Sequence, residues 1–153
     1  MAWSWQWKVW NQLTRGHVAA YRLSHGRLGG RLGSAPVLLL HHTGRRSGKD
    51  RVSPLVYLPD DDDLVVVASK GGSHKHPMWW LNLREMAETT VEVGGERRRV
   101  QVRQATSEER TRLWPTVVQL YPGYAEYQER TEREIPLGIL SPASGGAGSR
   151  PPR

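Results

Sequence analysis

The first clear pattern along the chain is a set of three short apolar runs in its first half. Each run is rich in Val and Leu and has the length of a β-strand rather than of a helix. The runs are Val37–Leu40, Val52–Leu58 and Leu64–Ala68. Asp60–Asp63 separates the last two, and we interpret it as a solvated hairpin tip, since four consecutive carboxylates lack the spacing of a calcium loop. The pattern predicts three strands.

Alternating polar and apolar residues predict further strands in the second half of the chain. These strands are Thr89–Val93, Arg99–Arg103 and, near the end, Ile135–Leu140. Gly94-Gly95 lies between the first two and has the composition of a tight hairpin turn. Strands joined by tight turns favour an antiparallel sheet over a parallel one, because parallel strands need long crossover connections.

Three helical segments are predicted between or beside these strands. They are Met78–Met86 after Pro77, a helix that runs from the cap-like Thr106–Glu109 to Leu120, and one or two turns over Tyr124–Arg130. About six strands with a few crossing helices indicate a mostly β, α+β chain that folds as a small antiparallel barrel.

The two ends of the chain differ from the middle. Residues 3–25 are predicted to be helical, because Trp3, Trp7 and Trp10 repeat at helical spacing among basic residues. Either this helix lies on the barrel or a partner chain, or its basic amphipathic face rests on an anionic membrane. We divide the chain into residues 1–33 (helix and flexible linker), 34–140 (barrel) and 141–153, a Pro/Gly/Ser/Ala tail expected to be disordered.

Composition limits the classes of function. The 153 residues suggest one domain, large enough for a core without disulfides, and the absence of Cys excludes a thiol nucleophile or a Cys-ligated metal. The chain has neither a membrane-spanning apolar run nor a signal peptide, so we expect a cytoplasmic protein. The net charge is +7, with 18 Arg and 4 Lys, which admits nucleic acid, an anionic membrane surface or an anionic small molecule as partner.

Basic residues are concentrated in two Gly-containing connectors at strand ends. Gly44–Arg51 joins the first two strands with four cationic side chains, and Ser69–Gly72 follows the third strand. Cationic side chains on such turns are suited to bind phosphate or carboxylate groups. Met78–Trp80 adds flat apolar surface next to them. A charged end beside a flat aromatic end would suit a heterocycle with an anionic tail.

Most established catalytic motifs are absent from the sequence. There is no phosphate-binding P-loop, dinucleotide fingerprint, nucleophile elbow or zinc-protease motif. His41 and His42 are adjacent in a strand and should point to opposite faces, and His74 and His76 lack further ligands, so we expect no metal site. If the chain is an enzyme, a bound cofactor therefore carries the difficult chemistry.

Several motifs in order resemble those of the deazaflavin-dependent nitroreductase family. The resemblance covers roughly residues 37–140 and rests on Thr43-Gly44-Arg45-Arg46-Ser47-Gly48, Arg51-Val52-Ser53-Pro54-Leu55, Ala68-Ser69-Lys70-Gly71-Gly72, Pro77-Met78-Trp79-Trp80-Leu81-Asn82-Leu83, Tyr121-Pro122-Gly123-Tyr124-Ala125-Glu126-Tyr127 and Ile135-Pro136. The resemblance implies a split β-barrel, as in FMN-binding proteins, that binds coenzyme F420.

The resemblance also implies a site. The phosphate and oligoglutamate tail of the cofactor would be bound by Arg45, Arg46, Ser47, Arg51 and Lys70. The deazaflavin would be lined by Val52, Ser53, Pro54, Leu55, Val56, Val67, Ala68, Ser69, Met78, Trp79, Trp80, Leu81 and Asn82, with Tyr124 near the ring. The catalytic side would be formed by Ser69, Tyr121, Tyr124 and Tyr127. These hydroxyl groups would stabilise negative charge on an oxygen of a quinone, conjugated carbonyl or nitro compound as it accepts a hydride.

Three other interpretations stay open at this point. The same barrel could bind FMN, or the chain could carry deazaflavin without catalysis. A basic nucleic-acid binder would fit the charge, but the basic residues lie in turns and no nucleic-acid-binding motif is present. A homodimer and a peripheral contact with the inner face of the cell membrane through the N-terminal helix are further expectations.

Overall fold

The computed structural model describes residues 15–24, 26, 30–32 and 35–143. Its strands are β1 (Arg31–Leu32), β2 (Ala35–Thr43), β3 (Asp50–Asp60), β4 (Asp63–Val67), β5 (Glu88–Val93), β6 (Glu96–Gln104) and β7 (Leu137–Pro142). Its helices are α1, which is helical at residues 15–23, α2 (Met78–Leu83), α3 (Ser107–Leu120) and α4 (Gly123–Glu129), and a 3₁₀ turn covers Lys70–Gly72. The predicted mixture of strands and helices is confirmed.

Six strands close into an antiparallel barrel in the order β2-β3-β4-β7-β6-β5. Closure comes from β5, which pairs back to β2 through Leu39 opposite Glu92 and Leu40 opposite Val91. The predicted hairpins are present: Asp60 pairs with Asp63, and Val93 pairs with Glu96 around Gly94-Gly95. The expected small antiparallel barrel of the split type is therefore confirmed.

The apolar run in β4 has a structural cause, which is that both faces of this strand are covered. Leu64 and Val66 point to one hydrophobic cluster inside the barrel, whereas Val65 and Val67 point to a second cluster under α3 and α4. Successive residues of a strand face opposite sides, so a strand covered on both faces must be apolar at every position. The two clusters thus share a wall, and α4 is packed on the outside of the barrel.

Among the predicted boundaries, the start of the last strand and the end of α2 differ from the structure. The last strand starts at Leu137 instead of Ile135, because the Gln128 side chain accepts from Ile135 N–H (2.9 Å), Arg110 donates to Ile135 O (3.0 Å), and Pro136 has no N–H. Helix α2 ends at Leu83, three residues before its predicted end at Met86.

The predicted start of α3 is confirmed in detail. Thr106 accepts from the backbone N–H of Glu109, and the Glu109 carboxylate accepts from the backbone N–H of Thr106, which is a complete capping box. Arg103 also donates to both oxygens of Glu109, and this bond, followed by the cap, lowers the pKa of that carboxyl to about 2. The helix is thus tied to β6 at its first turn.

Helix α1 lies on the barrel. Tyr21 is 1% exposed, and its hydroxyl donates to Glu92 O (3.1 Å) and accepts from Gly94 N–H (2.8 Å). Arg22 donates to both carboxylate oxygens of Glu92, at 3.1 and 2.8 Å, and His41 Nε2 lies 2.7 Å from the same carboxylate. Of the two interpretations of the N-terminal helix, contact with the barrel is therefore present for residues 15–24.

The segment after α1 is more ordered than a flexible linker at the positions that the structure describes. Arg31 and Leu32 form β1 and pair with Pro36 and Ala35 of β2. The three Trp residues on which the helix prediction rests, and the tail from residue 144, lie outside the described residues. Among the residues that are described, none of the helices combines the length and apolar character required to cross a bilayer.

We expect the contacts of Glu92 to make the free energy of unfolding depend on pH in acidic solution. Burial raises the pKa of Glu92, but hydrogen bonds from Arg22 and His41 outweigh it, so the pKa lies below its ordinary value of 4.5. A carboxyl whose pKa is lowered by folding stabilises the protein above its unfolded pKa, and this is lost as pH falls through the folded pKa. In urea titrations, the stability advantage of the parent over Glu92→Gln should be constant near neutral pH and shrink below about pH 4.5.

The matched control for this acid dependence is Glu96→Gln, since the Glu96 carboxylate is mostly exposed in the neighbouring strand, and its one ion pair within the described residues is with Arg98, at 3.6 Å. Its stability should follow that of the parent at every pH. A stability advantage of the parent over Glu92→Gln that increases as the pH falls would contradict the prediction.

Candidate active site

A cavity of about 610 Å³ lies beside the middle of β3. Its walls come from parts of the chain that are far apart in sequence: α1, β2, β3, the end of β4 with the following turn, α2, and the junction of α3 with α4. The lining residues are His17, Val37, Ser53, Pro54, Leu55, Val56, Val67, Ser69, Lys70, Gly71, Trp79, Tyr121, Tyr124 and Tyr127. Small-molecule sites have volumes of about 300–1,000 Å³, so this cavity could hold a cofactor-sized ring system.

The cavity forms where β3 and β4 separate. Residues 50–56 of β3 pair with β2, whereas pairing with β4 starts only at Tyr57 opposite Val66. The segment before Tyr57 thus has one unpaired edge, which accommodates Pro54, a residue without an N–H for a second ladder. This open edge gives a ligand access to the half-buried Ser53, Leu55 and Val56. The unpaired edge of β3, where β3 and β4 separate, therefore forms one wall of the candidate ligand site.

Ser69 and Lys70 enter the cavity wall through a turn that is packed tightly on α4. Gly72 has φ +80°, and a Cβ at this position would lie 2.5 Å from Tyr127 O and 2.9 Å from Tyr127 Cα. Only glycine allows this approach and this backbone conformation together. The close contact fixes the height of the turn above α4, and so the position of Ser69 relative to the Tyr residues.

Three tyrosines form one aromatic cluster at the cavity. The ring centroids of Tyr121 and Tyr124 are 4.9 Å apart, and Tyr127 lies 6.3 and 6.1 Å from them. Burial is the main cause that raises the pKa of Tyr124, and the neighbouring Tyr127 hydroxyl is the main cause that raises that of Tyr121. Both phenols therefore stay protonated at neutral pH and can act as hydrogen-bond donors.

Arg133 binds the backbone of the loop that carries Ser69. The sequence motifs did not indicate this role. Its Nε donates to Ser73 O (2.8 Å), one Nη donates to Ser69 O (2.8 Å), and both Nη groups donate to Ala68 O (3.2 Å). The same guanidinium donates to His76 Nδ1 at 3.2 Å. Burial, then the charge of Arg133, lowers the pKa of His76. One side chain thus fixes a loop of nine residues, 68–76.

A buried hydrogen-bonded chain leads from the basic turn to the cavity. The backbone N–H of Arg45 donates to Asn82 Oδ1 (3.1 Å), Asn82 Nδ2 lies 3.0 Å from His42 Nδ1, and His42 Nε2 lies 2.9 Å from Ser53 Oγ. Burial, followed by the charges of Arg51 and His41, lowers the pKa of His42 to about 4. His42 is therefore neutral at physiological pH. His41 faces the other way, towards Glu92, as expected for adjacent strand residues.

The predicted cationic residues are divided between two neighbouring places. Lys70 lines the cavity, whereas Arg51 lines a second hollow of about 440 Å³ against α1, with Arg15 and Arg22. Arg51 precedes the cavity residue Ser53 by two positions on β3, about 7 Å along the strand. The cations therefore flank the open edge of β3, but the structure does not bring them into one cluster.

The basic turn at residues 44–49 is close to both α2 and Arg51. A Cβ at Gly44 would lie 2.4 Å from Ser47 Oγ and 3.4 Å from Arg51 Nε. The Arg45 guanidinium lies 3.9 Å from Met78 Sδ. Arg46 and Ser47 are exposed in this turn. The turn is therefore held between the start of β3 and α2, with its charges open to solvent.

Several residues that were expected to line a ring lie elsewhere. Ala68 and Trp80 are fully buried in the barrel core, where the Trp80 ring lies 3.0 Å from the position of a Cβ on Gly138. Asn82 is buried and serves the hydrogen-bonded chain, and Val52 lines the hollow beside Arg51. Met78 is exposed and Leu81 is half-buried, both outside the cavity lining.

His17 of α1 lines the cavity, although the family motifs lie outside this helix. It is brought there by the Tyr21 and Arg22 contacts one turn further along α1. No sequence pattern marked this position, because the contact depends on how the helix is docked. Over the described part of the chain, no three His, Asp or Glu side chains converge as metal ligands.

The comparisons with known proteins agree on one kind of relative. A family model described as F420H(2)-dependent quinone reductase matches residues 13–142. An F420H(2)-dependent quinone reductase of Mycobacterium tuberculosis is 39% identical to this chain over 134 residues, which cover 85% of this chain and 90% of that protein.

Solved structures give the same result for the fold. A structure described as the F420-H2 dependent reductase FDR-A is similar with a TM-score of 0.63 and 38% identity, over 69% of this chain and 94% of that chain. A structure described as a domain-swapped dimer is similar with a TM-score of 0.66 and 32% identity, over 88% of this chain and 98% of that one.

Proposed function

The chain belongs to the F420H(2)-dependent quinone reductase family, and from that premise we propose that its cavity holds the deazaflavin ring of coenzyme F420 beside an electron-poor acceptor. The protein is an oxidoreductase whose cofactor is coenzyme F420 and whose family acts on quinones. The resemblance noted from the motifs is thus refined from nitroreductase to quinone reductase.

The observation that carries the proposal is the unequal chemistry of the two cavity walls. The open edge of β3 presents Pro54, Leu55 and Val56, with Trp79 beside them, which is an apolar surface for a flat ring. The hydroxyl groups of Ser69 and the three tyrosines and the ammonium of Lys70 supply polar groups to the rest of the lining, which also contains His17, Val37, Val67 and Gly71. Flat apolar surface with few polar donors is the composition expected of a cofactor site. The residues present therefore fit a ring with an anionic tail.

The residues of the chain act on the acceptor through hydrogen bonds. When bound, reduced coenzyme F420 supplies the hydride. Ser69 and Tyr124 lie at the cavity as neutral hydroxyl donors, and they can stabilise negative charge that develops on the acceptor oxygen. Tyr121 and Tyr127 lie beside Tyr124 and can pass a proton to that oxygen.

The anionic tail of the cofactor would be bound by Lys70 and Arg51, with Arg45, Arg46 and Ser47 from the basic turn. We expect the double variant Lys70→Ala and Arg51→Ala to weaken F420 binding at least tenfold at low salt, because charge-assisted hydrogen bonds contribute about 1.5–3 kcal/mol each. The difference from the parent should shrink as salt screens the charges, and a fluorescence titration at several salt concentrations measures it. Equal affinity would show that the cations do not contact the tail.

The experiment that tests the function is a titration of the purified chain with F420, followed by an acceptor panel. We expect binding of F420 and oxidation of its reduced form by quinones. Tighter binding of FMN than of F420 would favour an FMN-dependent oxidoreductase, and F420 binding without oxidation by any acceptor would favour a carrier protein. Nitro compounds and conjugated carbonyls belong in the same panel, because the same hydroxyls could stabilise charge on their oxygens.

We also propose that the segment before residue 15 contacts the inner face of the cell membrane. Support comes from the sequence, where Trp3, Trp7 and Trp10 repeat at helical spacing near Lys8. We expect the full chain to sediment with anionic vesicles and a chain without residues 1–14, which keeps the described residues 15–24 of α1, to remain in solution. Equal sedimentation of both would remove this segment from the contact. A peripheral position would bring lipid-soluble quinones to the cavity.

A homodimer is the assembly that we propose for the chain. Support comes from the relative described as a domain-swapped dimer, which is 32% identical. Light scattering on the purified chain measures its mass in solution, and a monomeric mass would contradict the proposal.

A further inference from the structure

The buried chain of hydrogen bonds between the basic turn and the cavity has a defined direction. Its first donor is the backbone N–H of Arg45, which can only donate. The Asn82 atom that faces it must therefore be the carbonyl oxygen, Oδ1. This fixes the side-chain amide, so that the NH₂ group of Asn82 faces His42 at 3.0 Å.

The amide orientation fixes the proton on His42. Because Asn82 presents a donor, His42 Nδ1 must accept with its lone pair. In a neutral imidazole the proton is then on Nε2, and this N–H donates to Ser53 Oγ at 2.9 Å. His42 is 5% exposed, so solvent does not offer the ring an alternative partner.

The direction of the chain leaves Ser53 with a hydrogen to donate. Its oxygen accepts from His42, and its own O–H hydrogen has no protein acceptor among the residues that the structure describes. Ser53 lines the cavity at the open edge of β3. A hydroxyl that accepts from behind is also a stronger donor in front, because hydrogen bonds in a chain polarise one another.

We propose that Ser53 donates a hydrogen bond from the cavity wall to a carbonyl oxygen or an unprotonated ring nitrogen of the bound ligand, and that His42 and Asn82 are positioning residues that hold it in this direction. Under the proposed function, on which this inference rests, the ligand is the deazaflavin ring. The site then favours an acceptor on the ligand, since a ring that presents an N–H could use only the second lone pair of Ser53 Oγ and would leave the Ser53 hydrogen without an acceptor.

The same geometry argues against a hydrolytic site at this place. Ser53, His42 and Asn82 have the spacing of a serine nucleophile, its base and an orienting residue. In a hydrolase the histidine needs a lone pair at the serine, whereas the Nε2 of His42 carries the proton. Ser53 therefore cannot be activated by His42, and it binds instead of attacking.

The first test is the position of the His42 proton. We expect ¹⁵N NMR of the ring nitrogens to give the shift of a protonated nitrogen at Nε2 and of an unprotonated one at Nδ1. The proton at Nδ1 would overturn the inference. In Asn82→Asp the carboxylate accepts from both neighbours, so the proton should move to Nδ1 and Ser53 should turn to donate to Nε2.

The second test is the affinity for oxidised F420, measured by fluorescence titration without turnover. We expect Ser53→Ala to weaken binding about tenfold, in keeping with the loss of one hydrogen bond in a buried site. Ser141→Ala, which removes a half-buried hydroxyl in β7 outside this cavity, should bind as the parent does.

A double variant tests whether Asn82 affects ligand binding through Ser53. Asn82→Asp should weaken F420 binding in the parent but have little further effect in a Ser53→Ala background, because the donor is already gone. F420 binding that is unchanged in Ser53→Ala would overturn this inference and leave the proposed function intact. A parent chain that does not bind F420 would overturn both. Ser53→Ala removes one atom, so its outcome stands even if Asn82→Asp does not fold.

Discussion

Replacement of Arg133 by alanine is expected to release the loop that carries Ser69 and to lower kcat/KM for quinone reduction about 100-fold. The guanidinium donates to the carbonyls of Ala68, Ser69 and Ser73 and to His76, and a single side chain thus fixes residues 68–76. Displacement of a catalytic group by about 1 Å can lower the rate by a factor of 100.

Stability should fall in the same Arg133 variant. We expect a loss of about 2–3 kcal/mol, because three carbonyls and one imidazole lose a charged donor, and for a chain of this size that lowers Tm by about 5–10 °C. Arg133→Lys distinguishes the positioning of Ser69 from the stability of the fold. Because an ammonium can reach some of the acceptors but not all, the fold should be largely retained while kcat stays low.

Arg84→Ala is the matched control for Arg133, since the Arg84 side chain is exposed just after α2 and has no side-chain hydrogen bond or ion pair within the described part of the chain, while its backbone N–H, which caps α2, is kept in the variant. It should have the parent's kcat and Tm. A normal kcat in Arg133→Lys and only a lower Tm in Arg133→Ala would mean that Arg133 stabilises the fold without positioning Ser69.

Replacement of Tyr124 by phenylalanine is expected to lower turnover by about 10²-fold while F420 binding stays unchanged. Removal of one donor from an oxyanion site has an effect of this size, about 10²–10³-fold in kcat. Tyr124 is 7% exposed at the cavity, and its ring packs on Tyr121, so the phenylalanine ring fills the same space. The variant thus isolates the hydroxyl.

The pH profile gives a second measurement on Tyr124. Because burial raises its pKa above the ordinary value of 10, the phenol stays a donor in weakly alkaline solution. Turnover of the parent should therefore show no loss from ionisation of Tyr124 between pH 7 and about pH 10.

Tyr57→Phe is the control for Tyr124→Phe, because Tyr57 packs against the barrel core and lies outside the cavity lining. Its turnover should equal that of the parent. A Tyr124→Phe variant with normal kcat would remove this hydroxyl from the reaction and leave Ser69 as the main donor.

The sequence predicted the strands and turns because their causes are local. The apolar run of β4, the Gly94-Gly95 turn and the capping box at Thr106 each depend on residues within a few positions of one another. The start of β7 was predicted two residues early because its cause is distant: the Ile135 backbone is bound by side chains of α3 and α4. Tertiary hydrogen bonds overrode the local pattern there.

The candidate site divides in the same way. Motifs identified Ser69, Lys70 and the three tyrosines, and all of them line one cavity. Trp80 carries the same motif signal, yet it is fully buried, because a helix of six residues must turn some of its aromatic side chains into the barrel. His17 and Arg133 carried no signal, since a lone His and a lone Arg have no pattern in sequence.

The sequence by itself determined the barrel, its hairpins and the family, since alternation, turn chemistry and ordered motifs are written in neighbouring residues. Only the tertiary structure decided which face of each element meets the cavity, that α1 docks through Tyr21 and Arg22, and in which direction the hydrogen bonds from Asn82 to Ser53 run. The physical reason is that hydrogen-bond direction and burial belong to pairs of groups. Such pairs form only after segments distant in the chain have been packed together.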